Sequence, residues 1–201
     1  MKKYEFTGET KEIVLPYRKV VLHRIRAIAD FGTVKVGDLG GWIEKEENLS
    51  HEGNAWVRGD AVVRSNAVVC GNAVVYGNAV VYGDAVVCGN AWVCGNAVVY
   101  GDAEVYGNAE VYGNAEIFLT SQVLTIGPIG SRNGFTTFYR DKDNEITVKC
   151  GCFLGKMEQF LEKVEQTHGD SKHGQVYRAA AEIARLQIDL SLEKLVKAEI
   201  E

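Results

Sequence analysis

The chain has 201 residues, a net charge of −5 and 46% hydrophobic side chains, enough for one elongated domain with additions or a core plus a small second module. The acidic balance speaks against general nucleic-acid binding, and no apolar run reaches the roughly 18 residues that a membrane helix needs. The start, Met1-Lys2-Lys3-Tyr4-Glu5, carries no hydrophobic signal region, so a cytosolic protein is expected. The cysteines, five and therefore odd in number, are read as free thiols of a reducing compartment.

Three regions follow one another: residues 1–47 as N-terminal strands and a cap, 48–119 as a repeat array, and 120–201 as a β-hairpin with two helices. In the first, one strand is expected near residues 4–7 or 12–15 and a better one over 20–28. There Val21, His23, Ile25 and Ala27 alternate with Leu22, Arg24, Arg26 and Ile28. The segment is locally basic. A solvated strand face accounts for that; alternatively Arg24 and Arg26, on one side, meet an anionic ligand or a partner. Gly37-Asp38-Leu39-Gly40-Gly41-Trp42-Ile43 then leads into the array, with Trp42 expected to cover its open end, since an uncovered coil exposes unpaired backbone groups.

The array repeats the phrase [Asn/Asp]-Ala-x-Val-x-Gly eleven times over residues 54–118, after a degenerate twelfth copy, Asn48-Leu49-Ser50-His51-Glu52-Gly53. A fixed short period decides architecture before propensity does. Alternate strand residues face opposite sides, so the nearly invariant Ala/Val set faces inward and the variable set outward. Asn or Asp beside Gly makes the corner. Three phrases close a triangular coil of 18 residues, and four coils make a prism about 19 Å long. This resembles the hexapeptide-repeat left-handed parallel β-helix, an exception to right-handed crossovers. The outward positions hold Trp56, Tyr76 and Trp92 on one side, Tyr82, Tyr100 and Phe118 on the next, and Cys70, Cys88 and Tyr106 on the third, with Glu only in the last coil. Strand propensity and stacked ladders can produce such walls. Apolar walls of this extent more often mark an interface, so Trp56, Tyr76, Trp92, Tyr82, Tyr100 and Phe118 are expected to be covered by the C-terminal helices or by other subunits. A homo-oligomer, with a trimer favoured, is the expectation.

Beyond Phe118, residues 122–126 read as a strand, and residues 135–140 pair with 145–150 across the Asp141-Lys142-Asp143-Asn144 turn. Met157, Phe160, Leu161 and Val164 then mark a helix with one apolar stripe, ended by Gly169 next to His168. A longer helix is expected from about His173 to Ala198, with Val176, Ala180, Ile183, Leu186, Leu190 and Leu195 inward.

Hexapeptide β-helices are best known as acyltransferases, which generally use a catalytic histidine and often a loop interrupting the coil. This array is uninterrupted, and its one histidine, His51, falls at an inward position of the degenerate phrase, where a structural role fits. A zinc site of the carbonic-anhydrase kind would need three coil histidines, whereas His23, His168 and His173 lie outside the array. Cys150-Gly151-Cys152 is a weak metal signal, and buried thiols explain it. No catalytic residue, cofactor or metal is assigned. For a ligand, residues 127–134 stand out: Gly127, Gly130 and Gly134 expose backbone N–H groups, Ser131 offers a hydroxyl, Arg132 a planar fork suited to phosphate, and Asn133 lies between. Thr136, Thr137, Tyr139 and Arg140 follow closely and join the candidate set, with Arg24 and Arg26 as a separate pair. An ordinary glycine-rich turn is the competing explanation.

Asp38-Leu39-Gly40-Gly41-Trp42-Ile43-Glu44, Glu47-Asn48-Leu49-Ser50, the array, Thr125-Ile126-Gly127-Pro128-Ile129-Gly130-Ser131-Arg132-Asn133-Gly134 and Cys150-Gly151-Cys152-Phe153 together resemble a family of hexapeptide-repeat proteins of bacteriophages and prophages of gut bacteria. That family has no assigned activity, so the resemblance implies a setting, the cytosol of a bacterial host, and no reaction. Analogy with small phage proteins adds the sequestration of a host defence signal. The expectation is a non-enzymatic, self-associating protein that binds a small anionic, nucleotide-like ligand. The alternatives are a module docking a host protein through its apolar walls and an acyltransferase relative.

Overall fold

The computed structural model describes residues 2–191. Strands β1 (Tyr4–Val14), β2 (Lys19–Ala27) and β3 (Leu39–Ile43) precede eleven two-residue strands, one for each phrase. Of these, β4 (Trp56–Val57), β7 (Val74–Val75), β10 (Trp92–Val93) and β13 (Glu110–Val111) stack as one wall, and β6 (Val68–Val69), β9 (Val86–Val87) and β12 (Glu104–Val105) as a second. The third wall holds β5 (Val62–Val63), β8 (Val80–Val81), β11 (Val98–Val99) and β14 (Glu116–Ile117), and β3, β2 and β1 extend it to seven strands. All coil pairings are parallel at a step of 18 residues, as in Val62↔Val80 and Val80↔Val98. The molecule is thus a parallel β-solenoid of about four turns.

The inward set is Ala and Val as the pleat requires: every array alanine from Ala55 to Ala115 is buried, as are Val57, Val75, Val93 and their equivalents. Each fully buried valine contributes roughly 1.5–3 kcal/mol. The corners close on one another. At Gly89, φ is +70°, and a Cβ there would meet the Gly107 backbone nitrogen at 2.8 Å, so both conformation and coil spacing demand glycine. Beside the corners, asparagine side chains form a hydrogen-bonded ladder, Asn54 to Asn72 to Asn90 to Asn108, at 3.0–3.1 Å per rung.

The first coil departs from the expected register. Leu49, not His51, takes the inward valine position, bridging to Val69, and two additional residues lie between it and Val57. His51 therefore sits in the corner, its ring stacked on Tyr4 at 4.3 Å. Trp42 does not cover the open end either. It lies in β3 opposite Val62 and continues the third wall with Val20 and Leu22. The lid is made instead by Tyr4, Phe31 and Trp56, whose rings meet edge to face at 6.3 and 5.4 Å.

Beyond the array, β15 (Val123–Ile129), β16 (Gly134–Arg140), β17 (Ile146–Cys150) and β18 (Phe153–Lys156) form a four-stranded antiparallel meander. The expected hairpin is its middle pair, with Arg140 opposite Ile146 and Thr136 opposite Cys150. Helices α1 (Met157–His168) and α2 (Lys172–Gln187) pack on this sheet. They do not cover the coil walls, because their apolar stripes are matched by Phe138, Val148 and Ile146 of the sheet. Helix α2 is shorter than expected and its buried face is Tyr177, Ala180, Ala181 and Ala184. Ile183 and Leu186, expected inward, are exposed. The expectation for Leu195 concerns residues 192–201, which lie outside those described.

Candidate ligand site

The glycine-rich segment becomes the β15–β16 hairpin loop, with Ile129 opposite Gly134. The two-residue turn Gly151-Cys152 joins β17 to β18 nearby. Between these two turns and helix α1 lies an open cavity of about 550 Å³. Its deep part is aromatic: Phe160 and Tyr177 are buried, with Phe153 half-buried against Phe160 at 5.6 Å between ring centroids. Its lining carries two cations and one acid, Glu110, which pairs with Lys149 at 2.9 Å. Arg132 and Lys163 are both exposed, both line the cavity, and neither forms an ion pair among the described residues. Ser131, His168, Cys150 and Cys152 also line it. All five cysteines carry free thiols.

The loop is held in place from below. Gly130 has φ +71°, and a Cβ there would fall within the Tyr177 hydroxyl, so the backbone rests directly on the phenol. Burial pushes the Tyr177 phenol up from its ordinary pKa, Cys150 adds to the rise, and the charge of Arg132 opposes it. Opposite, Thr136 donates to Cys150 Sγ at 3.2 Å. An exposed pair of cations above a hydrophobic aromatic bed suits an anion attached to a planar or apolar body.

The other expected site residues are employed elsewhere. Thr137 Oγ1 accepts the Glu110 N–H at 3.0 Å. The Tyr139 hydroxyl donates to the Tyr112 carbonyl and accepts its N–H, at 3.1 and 3.3 Å. Arg140 donates to the Glu116 carbonyl at 2.9 Å and lies over the Phe118 ring. All three are buried, and together they satisfy backbone groups of the last coil, which has no further coil to pair with. Asn133 is exposed in the loop with φ +48°. Arg24 and Arg26 belong to β2, at the opposite end of the solenoid. There Arg24 lies over Trp42 and faces Asp60, and Arg26 pairs with Glu5.

Of the six rings expected at an interface, four are buried within the single chain. Trp56 belongs to the N-terminal lid, against Tyr4 and Phe31. Tyr82, Tyr100 and Phe118 stack along one corner at 5.0 and 5.4 Å, with Arg64 over Tyr82 at one end and Arg140 over Phe118 at the other. Tyr76 is half-buried, edge-on to Trp92. Trp92 is 41% exposed. Sequence reasoning passed over Lys163, Phe153 and Tyr177. The first looks like one more solvated helix charge and the others like core, and only the tertiary fold brings them to the loop.

Among the described residues, no three His, Cys, Asp or Glu side chains come together as a metal site, and no helix is long and apolar enough to cross a membrane. No protein-family model matches the chain. It is similar to YdcK of Escherichia coli (strain K12), described as an uncharacterized acetyltransferase, with 38% identity over 61 residues. That segment is 28% of this chain and 19% of the relative, so the chain spans less than a fifth of the length of the curated relative it matches. The likeness and the solenoid agree with a hexapeptide-repeat protein.

Proposed function

We propose that this protein binds, without turning over, a small anion of nucleotide type in the cavity between the 130–133 loop and helix α1. The observation that carries the reading is the convergence of two cations, Arg132 and Lys163, neither ion-paired among the described residues, on one cavity whose floor is Phe160 and Tyr177. A guanidinium fork and an ammonium hold phosphate oxygens from two directions, while the aromatic side chains at the cavity and its edge, Phe135 among them, offer faces to the body of the ligand. The phage setting, sequestration of a host defence signal and self-association rest on the sequence resemblance and on the exposed Trp92; they are part of the same proposal. Calorimetric titration with nucleotides is expected to give saturable binding. Arg132→Ala and Lys163→Ala should each weaken it about ten-fold or more, in keeping with a charge-assisted hydrogen bond worth roughly 1.5–3 kcal/mol. Equal affinities in the wild type and both variants would remove the site.

A second reading, acyl transfer, is favoured by the likeness to YdcK. It requires binding of acetyl-coenzyme A, and a titration without heat or thermal shift at millimolar coenzyme would exclude it.

A further inference from the structure

We infer that the anion's body is a guanine-type base and that it sits in a second cavity next to the first, an inference that rests on the anion-binding reading above. The second cavity, about 220 Å³, lies between the last coil and β15 and shares Phe135 with the first. Phe135 is 40% exposed and Tyr106 is 56% exposed, and both line this space. Tyr100, in the equivalent position of the preceding phrase, is wholly buried. Two open rings at one cavity offer a stacking surface for a planar base.

The polar groups there specify an edge. Asn108 is the last rung of the asparagine ladder: its Oδ1 accepts from Asn90 at 3.1 Å. Its own amide N–H groups have no acceptor among the described residues, because the array ends before a further asparagine rung. Glu104 faces the same cavity, and its carboxylate forms no ion pair among the described residues. An ionised carboxylate only accepts, and this amide nitrogen only donates. Together they match an edge with two adjacent N–H donors beside a carbonyl oxygen. Guanine presents that edge through its ring N–H, exocyclic amino group and carbonyl. Adenine presents one amino group beside a ring acceptor, whose lone pair would face the carboxylate. With the base between Tyr106 and Phe135, the phosphate reaches past the Phe135 ring to Arg132 and Lys163.

The test is calorimetry on the full chain with guanosine monophosphate, adenosine monophosphate and ribose phosphate. The guanine nucleotide should bind roughly ten-fold or more tightly than the adenine one, as a good bidentate pair discriminates. Glu104→Gln should abolish that preference while leaving ribose phosphate binding unchanged. Tyr106→Ala should weaken both nucleotides but not ribose phosphate. Glu104 and Tyr106 are exposed, and an unchanged thermal midpoint checks that each variant folds. If the two nucleotides bind alike, the inference is overturned whatever ribose phosphate does, and ribose phosphate binding that Arg132→Ala weakens leaves the anion site standing. If none of the three binds, the anion site falls with it.

Discussion

The solenoid and the C-terminal module solve the same burial problem with opposite means. In the solenoid, two small side-chain types repeat at a step of 18 residues, as in the Val63, Val81 and Val99 series, so each layer fills the prism as the one below does. In the module, Phe138, Phe160, Met157 and Tyr177 are of unlike shape and meet at steep angles, near 90° between Phe160 and Tyr177. Such rings cover a core while leaving open wedges at its edge, and both cavities of the proposed site lie where the repeat stops and the irregular packing begins. Regularity supplies a rigid platform; its interruption supplies the site.

The contrast can be broken by cutting each core once. Phe160→Ala removes a buried ring at the centre of the module, a change that typically costs about 3–5 kcal/mol. If the two regions are as separate as their cores, the module should melt first and ligand binding should vanish, while the β signal of the solenoid in circular dichroism survives to a higher temperature. A single coincident transition would show the module and the solenoid to be one cooperative unit. A smaller effect is expected from a matched pair in the solenoid. Gly89 and Gly107 have nearly the same φ, +70° and +69°, but a Cβ at Gly89 strikes the next corner whereas one at Gly107 has nothing within 4 Å. Gly107→Ala should cost only the backbone term, about 1–2 kcal/mol, and Gly89→Ala measurably more in a urea titration.

The same difference decided what could be read from the sequence. The period of six residues fixed the strands, corners and inward faces of residues 54–118, because each position is over-determined by its copies. The irregular parts were legible only locally. The middle hairpin, α1 and its Gly169 terminus followed from alternation and spacing. The register of the degenerate first phrase did not, since its two additional residues have no counterpart in later coils and Leu49 can pass for either position. The apolar stripe of α2 was misplaced because alanines carry its buried face, and alanine is too weak a hydrophobic signal to outvote Ile183 and Leu186. The site was half legible. Ser131 and Arg132 declare themselves by loop chemistry, whereas Thr137, Tyr139 and Arg140, adjacent in sequence, point to the coil. Strand alternation turns Thr137 and Tyr139 towards Glu110 and Tyr112, and Arg140, at the end of β16, reaches the Glu116 carbonyl of β14.

The N-terminal lid gives the mildest test of how the ends of the solenoid are sealed. Lys3 is almost wholly buried there, its ammonium donating to the Glu52 and Gly53 carbonyls at 3.3 and 3.2 Å, and burial lowers its pKa to about 8. The unfolded chain keeps that proton up to the ordinary lysine range. Between pH 8 and roughly 10 the unfolded state therefore binds more protons at Lys3 than the folded one, so Lys3 makes stability rise with pH, by on the order of 1 kcal/mol, against the opposite pull of Cys88 and Cys94, whose thiols burial pushes up. Above that range the sign reverses. Burial pushes the phenols of Tyr4 and Tyr139 well up, so the tyrosines of the unfolded chain ionise first and draw the equilibrium towards unfolding. Urea midpoints taken from pH 7 to 11 report the sum of these contributions. Lys3→Met, which keeps the aliphatic stem in the lid but carries no charge, should remove the rise while leaving the fall; a rise that persists in that variant would place the titrating group elsewhere.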